Sequence, residues 1–120
     1  MAGTQTIVQK LQIPAGAKGI ILNKPAGVSL GLRHSAKGRD YFIAFVTSPE
    51  QVGQLITRVS QLDPSCVLWF CYPKKTSGVP ATINRDSGWE RLYETGFRGV
   101  RSIAVDEVWT GLRFRLRKAC

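Results

Sequence analysis

The sequence predicts an α/β fold: a single domain with a mixed, mostly parallel sheet of about five strands, flanking helices and a C-terminal antiparallel hairpin. Two observations carry this prediction. Continuous apolar runs at residues 41–46 and 67–72 flank a segment of helical periodicity, which is the order of a βαβ unit with parallel strands. Residues 112–117 alternate in polarity with period two, close behind another short apolar run, as an antiparallel hairpin does.

The length and composition of the chain indicate one globular domain, which we expect to span residues 1–120. The contents of 43% hydrophobic and 21% charged residues are ordinary for this class. No apolar run reaches the ~18–20 residues of a membrane span. The first residues lack the basic start and apolar centre of a signal peptide. The sequence therefore predicts a cytoplasmic protein without membrane contact.

The N-terminal third is predicted to contain one helix and one strand. Residues 5–12 form a short, weakly amphipathic helix that Pro14 and Gly16 end. Residues 18–22 form a short buried strand. Residues 23–40 carry alternating apolar side chains interrupted by glycines, so no element is assigned to them.

The central elements have the clearest signals. The run at 41–46 is typical of a strand buried on both faces. Ser48 and Gln51 form a capping box with a proline at the first helical position, and apolar residues then recur at helical spacing up to residues 63–64. The run at 67–72 is the next buried strand.

The C-terminal third is predicted to contain a short helix and a hairpin. Ser87 and Glu90 form a second capping box for a helix that ends at Gly96. Residues 101–105 are predicted to be a strand, and residues 112–117 a half-buried edge strand. The helix is expected to direct three side chains inward: Trp89, Leu92 and Tyr93.

The net charge of +9 is the unusual bulk property of the chain, with 17 basic and 8 acidic residues. Such an excess favours contact with phosphate, an acidic protein or another polyanion. In residues 113–118 basic and apolar side chains alternate, which places arginines on one face of a strand. The favoured interpretation is a solvated face that protects a sheet edge with charge. The alternative is a nucleic-acid platform.

Polar residues follow the predicted parallel strands, where open α/β sheets bind ligands. The lysines, hydroxyls and glycine of these loops could hold a phosphate or carboxylate. The candidate binding residues are Lys24, Lys74, Lys75, Thr76, Ser77, Gly78, Asp106 and Trp109. This set is called the basic rim.

Several rim residues have a second interpretation. Lys74 and Lys75 could form a solvated turn, and the order Lys-Lys-Thr-Ser-Gly is not a phosphate-binding Walker loop. Trp109 could stack on a ligand, but plugging the end of the sheet is favoured. Asp106 could act as a general base, neutralise a lysine or Arg85, or cap the hairpin.

The cysteines and the histidine do not point to catalysis. Cys66 and Cys71 are five residues apart on a strand, so they face opposite sides and cannot form a disulfide. Both are interpreted as buried, inert thiols, and Cys120 as an exposed one. His34 has no metal-ligand partner near it in sequence. We predict no catalytic residue, no metal and no cofactor.

Three segments, residues 72–78 (YPKKTSG), 85–89 (RDSGW) and 104–114 (AVDEVWTGLRF), resemble a family of small uncharacterised bacterial proteins. A PKK-S-G loop and a VD--W--LRF ending recur in that family, and the resemblance covers most of residues 16–115. It implies a truncated Rossmann-like fold, similar to an abbreviated methyltransferase and mainly to its C-terminal half. It transfers no catalytic or binding residue.

The chain departs from a methyltransferase where the cofactor would bind. A glycine-rich turn is needed after the first strand and an acid after the second. Residues 23–27 contain one glycine, and no strand ending in Asp or Glu follows before Tyr41. Methyl transfer from S-adenosylmethionine is therefore not predicted.

The functional prediction is a non-catalytic domain that binds an anionic ligand, or an acidic or nucleic-acid partner, through the basic rim. One alternative is a small degenerate enzyme that uses Asp106 and Lys74 on an anionic metabolite. The other is a homo-oligomer, or a subunit that completes a larger assembly by its sheet edge.

Overall fold

The structure is a computed structural model that describes residues 7–14, 16–25, 27–28, 30–32, 34–35, 37–62, 66–84 and 87–116, the side chains of residues 76 and 116 excepted. In chain order the elements are α1 (Ile7–Lys10), β1 (Gly19–Leu22), β2 (Tyr41–Phe45), α2 (Pro49–Ser60), β3 (Val67–Pro73), a 3₁₀ turn (Lys75–Ser77), α3 (Glu90–Glu94), β4 (Phe97–Ala104) and β5 (Trp109–Leu116).

The five strands form one mixed sheet in the order β1-β2-β3-β5-β4. The pairs β1–β2 and β2–β3 are parallel, whereas β5 is antiparallel to both β3 and β4. Four of the five strands therefore run in one direction, and β4 and β5 form the hairpin. The predicted α/β domain with a mostly parallel sheet and a C-terminal hairpin is confirmed.

Two apolar layers cover the sheet. Phe42, Phe70 and Trp89 belong to the cluster on the first face, with residues of α2 and α3. The cluster on the second face contains Tyr41 and Trp69 and packs against the N-terminal segment. Every residue of β2 and of β3 is buried, as the continuous apolar runs predict.

The start of α2 follows the predicted capping pattern. The Gln51 N–H donates to Ser48 Oγ at 3.4 Å. Gln51 Oε1 accepts from the Thr47 N–H at 2.5 Å, one residue earlier than in a standard capping box. The helix ends at Ser60. The pair at 63–64 that was expected to end it lies outside the described residues.

The start of α3 corrects the second capping box. The helix begins at Glu90, and the Ser87 N–H donates to Asn84 Oδ1 at 3.0 Å instead of Ser87 acting as the cap. Glu90 does reach back, because its carboxylate accepts from the Gly88 N–H at 3.0 Å. Gly96, at φ +101°, lies just beyond the C-cap, as predicted.

Two predicted burial assignments are also wrong. Tyr93 is 37% exposed, because the five-residue α3 presents only one stripe to the core and Leu92 occupies it. Cys66 is half-buried, since it precedes the first residue of β3. It packs on the first face and Cys71 on the second, so the two thiols do face opposite sides.

The strand β5 is interior, which corrects its prediction as an edge. Its period-two pattern arises because Phe114 packs in the core while Arg113 and Arg115 lie on the opposite face. The two edge strands are β1 and β4, and residues 98–102 of β4 are exposed. The hairpin strands are also longer than predicted, since β4 begins at Phe97 and β5 at Trp109.

The unassigned stretch contributes to the core without forming a strand. Val28 and Leu30 are buried in the second cluster. An isolated parallel bridge pairs His34 with Gly19, and His34 Nδ1 accepts from the Ile21 N–H at 3.1 Å. Across the described residues, no helix is long and apolar enough to cross a membrane.

Candidate functional site

The fold brings two loops of the basic rim together, as the parallel strands predict. Lys74 Nζ donates to the carbonyl oxygen of Asp106 at 2.8 Å. The backbone N–H of Lys74 donates to the carbonyl of Val108 at 2.7 Å. The loop after β3 is therefore joined directly to the turn between β4 and β5.

The carboxylate of Asp106 caps the hairpin turn. Its Oδ1 accepts from the N–H groups of Val108 and Trp109, each at 2.8 Å. Of the roles that the sequence leaves open for Asp106, this geometry supports the cap. Arg85, the other partner considered for Asp106, lies outside the described residues.

Replacing Asp106 with alanine should lower the free energy of unfolding by about 1–3 kcal/mol, because two N–H groups of the turn lose their acceptor. The substitution Asp106→Asn keeps an oxygen at this position, so that variant should stay close to the original protein in stability. Urea unfolding measures both values. Equal stability of the alanine variant and the original would contradict the capping role.

The residues after Lys74 form a closed turn. Ser77 Oγ donates to the Lys74 carbonyl at 2.7 Å and accepts from the Val79 N–H at 3.2 Å. Gly78 ends the turn at φ +81°, a conformation that favours glycine. Lys75 is exposed, and the side chain of Thr76 lies outside the described residues.

The two remaining rim residues also have structural partners. Trp109 is 8% exposed and packs edge-to-face on Phe45, with 5.1 Å between ring centroids, which is the plugging role. Lys24 Nζ donates to the Val28 carbonyl at 2.7 Å. The rim is thus a set of turns in which the ammonium groups of Lys24 and Lys74 donate to carbonyl oxygens, whereas Lys75 is exposed and the described bonds do not include its ammonium group.

A second basic surface lies on the second face of the sheet, at β4 and β5. Arg101 pairs in register with Arg113, and Trp69 of β3 lies opposite Arg113 on its other side. Arg115 follows two residues later and so shares this face. We call these three residues, Arg101, Arg113 and Arg115, the arginine face.

The charges of the arginine face act on each other. Partial burial, and then the positive charges of Arg115 and Arg101, hold the pKa of Arg113 below its ordinary value. Arg113 Nη1 donates to Gln12 Oε1, while its buried Nε has no hydrogen-bond partner in the part of the chain that the structure describes. Within the described ranges, no carboxylate forms an ion pair with these arginines. Among the described residues, the cluster is therefore a concentration of positive charge without a paired carboxylate.

The sequence predicted part of the arginine face. The alternation in residues 113–118 signalled Arg113 and Arg115, although Arg117 lies outside the described residues. It missed Arg101, because the register of β4 against β5 includes a shift between Gly99 and Arg101. That shift decides which face Arg101 occupies, and no pattern in the sequence marks it.

The thiol of Cys71 is unreactive because it is buried. It is buried in the second cluster, and burial, followed by the charge of Asp106, raises its pKa far above the ordinary value. No group of three His, Cys, Asp or Glu side chains among the described residues could hold a metal ion.

A variant with Cys66→Ser and Cys120→Ser, which leaves Cys71 as its single cysteine, should not react with a thiol reagent while folded. It should react fully after unfolding in urea, because only the exposed thiolate is nucleophilic. Absorbance of the released reagent group follows both states. Rapid reaction of the folded variant would contradict the burial of Cys71.

This chain is similar to several solved structures. LepI in complex with SAM matches 98% of this chain and 49% of its own, with a TM-score of 0.55 and 8% sequence identity. The Methanococcus jannaschii fibrillarin pre-rRNA processing protein matches 66% of this chain and 37% of its own, with a TM-score of 0.45 and 17% identity. The chain thus spans about half or less of each structure.

The likeness to LepI shows a Rossmann-like α/β fold. It agrees with the truncated Rossmann-like domain predicted from the sequence. The sequence matches no family model, and it matches no curated protein.

Proposed function

We propose that this chain is a non-catalytic binding domain for a polyanion, and that the arginine face is its main contact surface. The observation that carries the proposal is the packing of Arg101, Arg113 and Arg115 on one sheet face without an ion-pair partner among the described residues. Three guanidinium groups in this arrangement repel one another. Bound phosphate or carboxylate groups would remove that repulsion.

The choice of arginine supports an oxyanion ligand. A guanidinium presents a planar fork of N–H donors that matches phosphate and carboxylate, and it stays charged at all physiological pH values. The basic rim is the alternative contact surface. It is the weaker candidate, because the ammonium groups of Lys24 and Lys74 already donate to backbone carbonyls.

An enzymatic function is less well supported. Asp106 Oδ1 accepts two backbone N–H groups, and Lys74 donates to the carbonyl of the same aspartate. The Lys74 ammonium and one carboxylate oxygen of Asp106 are therefore already engaged in the turn, and using these atoms as an electrophile or a base would require the turn to open. The alternative of a degenerate enzyme built on these two residues is not adopted.

S-adenosylmethionine, which the LepI complex contains, does not fit the residues of this chain. The side chain of Lys24 crosses the turn after β1 to bind the Val28 carbonyl, where a Rossmann cofactor site has open glycines. After β2 the chain continues as Val46-Thr47-Ser48 into α2, without the acid that would hold a ribose.

Assembly through the free edge of β4 is also disfavoured for two copies of this chain. Antiparallel pairing of two β4 strands would bring Arg98 and Arg101 of one copy against those of the other.

We also propose that this chain belongs to the bacterial family that its sequence resembles. Its proposed location is the cytoplasm, where polyanions are abundant.

The test is binding of the intact protein to heparin, a polyanion without bases. The affinity should fall as salt rises from about 50 to 200 mM, with a linear dependence on the logarithm of the salt concentration. Counterions released from the polyanion produce this dependence. Absence of binding at low salt, or binding that salt does not weaken, would overturn the proposal.

A further inference from the structure

An open groove of about 810 Å³ lies along the β4 edge of the sheet, on the side of α3. Its wall is the exposed stretch of β4 from Arg98 to Ser102, and Leu112 of β5 and Tyr93 of α3 also line it. Arg101 belongs both to this groove and to the arginine face. The two surfaces are therefore continuous around the edge of β4.

A fixed stack of an aromatic ring and a guanidinium forms one end of the groove. Cζ of Arg98 lies 5.4 Å from the ring centroid of Tyr93. Arg98 Nη1 is held by the carbonyl of Tyr93 at 3.0 Å and by that of Phe97 at 2.7 Å. The guanidinium is thus oriented before any ligand binds, while the tyrosine is 37% exposed.

The edge of β4 is poorly suited to an added peptide strand. The register against β5 shifts between Gly99 and Arg101, so Val100 is an extra residue at a bulge and is 52% exposed. A bulge interrupts the regular row of backbone groups that strand addition requires. An acidic peptide therefore could not bind at this edge by adding a regular strand to the sheet.

We infer that the groove binds single-stranded nucleic acid, with a base stacked on the Tyr93–Arg98 pair and the neighbouring phosphates on Arg101 and the arginine face. This inference rests on the proposed function and specifies its ligand. Single strands are recognised by aromatic rings and guanidinium planes next to a positive track for the backbone. The β4 edge offers both within one groove. A duplex cannot use the Tyr93–Arg98 pair, because its bases are already stacked on each other, and it is left with the arginine face alone.

The test compares Tyr93→Leu with Tyr93→Phe. Leucine keeps an apolar side chain and removes the ring, whereas phenylalanine keeps the ring and serves as the matched control. The probes are a short oligothymidylate, an abasic strand of equal length, heparin and polyglutamate. Tyr93 is part-exposed, so both variants should fold as the original does, which circular dichroism checks.

We expect Tyr93→Leu to weaken oligothymidylate binding by at least about fivefold, because loss of one stacked base has an effect of this size. Its affinity for the abasic strand and for heparin should not change, and Tyr93→Phe should match the original protein. Arg98→Lys, which keeps the charge and removes the plane, should also weaken oligothymidylate selectively.

The four probes separate a failure of the stacking site from a failure of the polyanion surface. If Tyr93→Leu bound oligothymidylate as tightly as the original while heparin binding remained, the stacking site would be wrong and the polyanion surface would stand. Equal weakening on all probes would also overturn the stacking role. Tighter binding of polyglutamate than of oligothymidylate would assign the groove to acidic protein instead. No binding to any probe would overturn both proposals.

Discussion

Replacing Trp89 with alanine is expected to lower the free energy of unfolding by about 3–5 kcal/mol, a large part of the stability of a domain of this size. Trp89 is fully buried, and its Nε1 donates to the Asn84 carbonyl at 2.7 Å. Its ring contacts three other aromatic rings, with centroid separations of 5.8, 5.7 and 5.1 Å: Phe70, Tyr72 and Phe114.

These contacts explain the size of the effect. Trp89 joins the start of α3 to β3 and β5, so alanine would leave a cavity between the helix and the sheet. The Asn84 carbonyl would lose its indole donor as well. Trp89→Phe is the control: it keeps most of the ring contacts and loses the hydrogen bond, so its loss should be clearly smaller.

Urea unfolding followed by circular dichroism gives both values. A loss below about 1 kcal/mol for Trp89→Ala would fall in the range of surface substitutions and would contradict the described packing. Equal losses for the two variants would show that the hydrogen bond, and not the ring packing, stabilises this region.

Replacing Arg101, Arg113 and Arg115 together with glutamine is expected to weaken binding of single-stranded nucleic acid about 100-fold at about 0.1 M salt. Each neutralised phosphate on a single strand contributes about 0.7 to the slope of log affinity against log salt, so three contacts contribute about 2. The fold should survive, because Arg101 and Arg115 are exposed and Arg113 is half-buried.

The matched control carries the same charge change on the other candidate surface. Glutamine at Lys24, Lys74 and Lys75 also removes three positive charges, but two of these lysines already donate to carbonyls. We expect this triple variant to lose less than about tenfold in affinity, chiefly through Lys75. If the lysine variant lost more affinity than the arginine variant, the basic rim and not the arginine face would be the contact surface.

The sheet could be predicted from sequence because its signals are local. The apolar runs at β2 and β3 and the cap at Ser48 report directly on burial and helix start. The place of β5 in the sheet could not be predicted, because period-two alternation shows that one face is buried and does not show how many neighbours a strand has.

The sequence predicted that Lys74 and Asp106 lie close together, but it did not predict which hydrogen bonds they form. The order of parallel strands correctly brought Lys74 and Asp106 together. It could not show that their polar groups satisfy each other and the hairpin turn, since those bonds depend on side-chain geometry. The groove at Tyr93 depends on the bulge at Val100 and on the exposure of α3, both of which arise only from tertiary packing.

The salt dependence of oligothymidylate binding, measured for the original protein and the two triple variants, decides whether the arginine face is the polyanion contact. If it is, the slope of log affinity against log salt becomes shallower by about 2 in the arginine variant and by less than about 1 in the lysine variant. An unchanged slope in a folded arginine variant would contradict it.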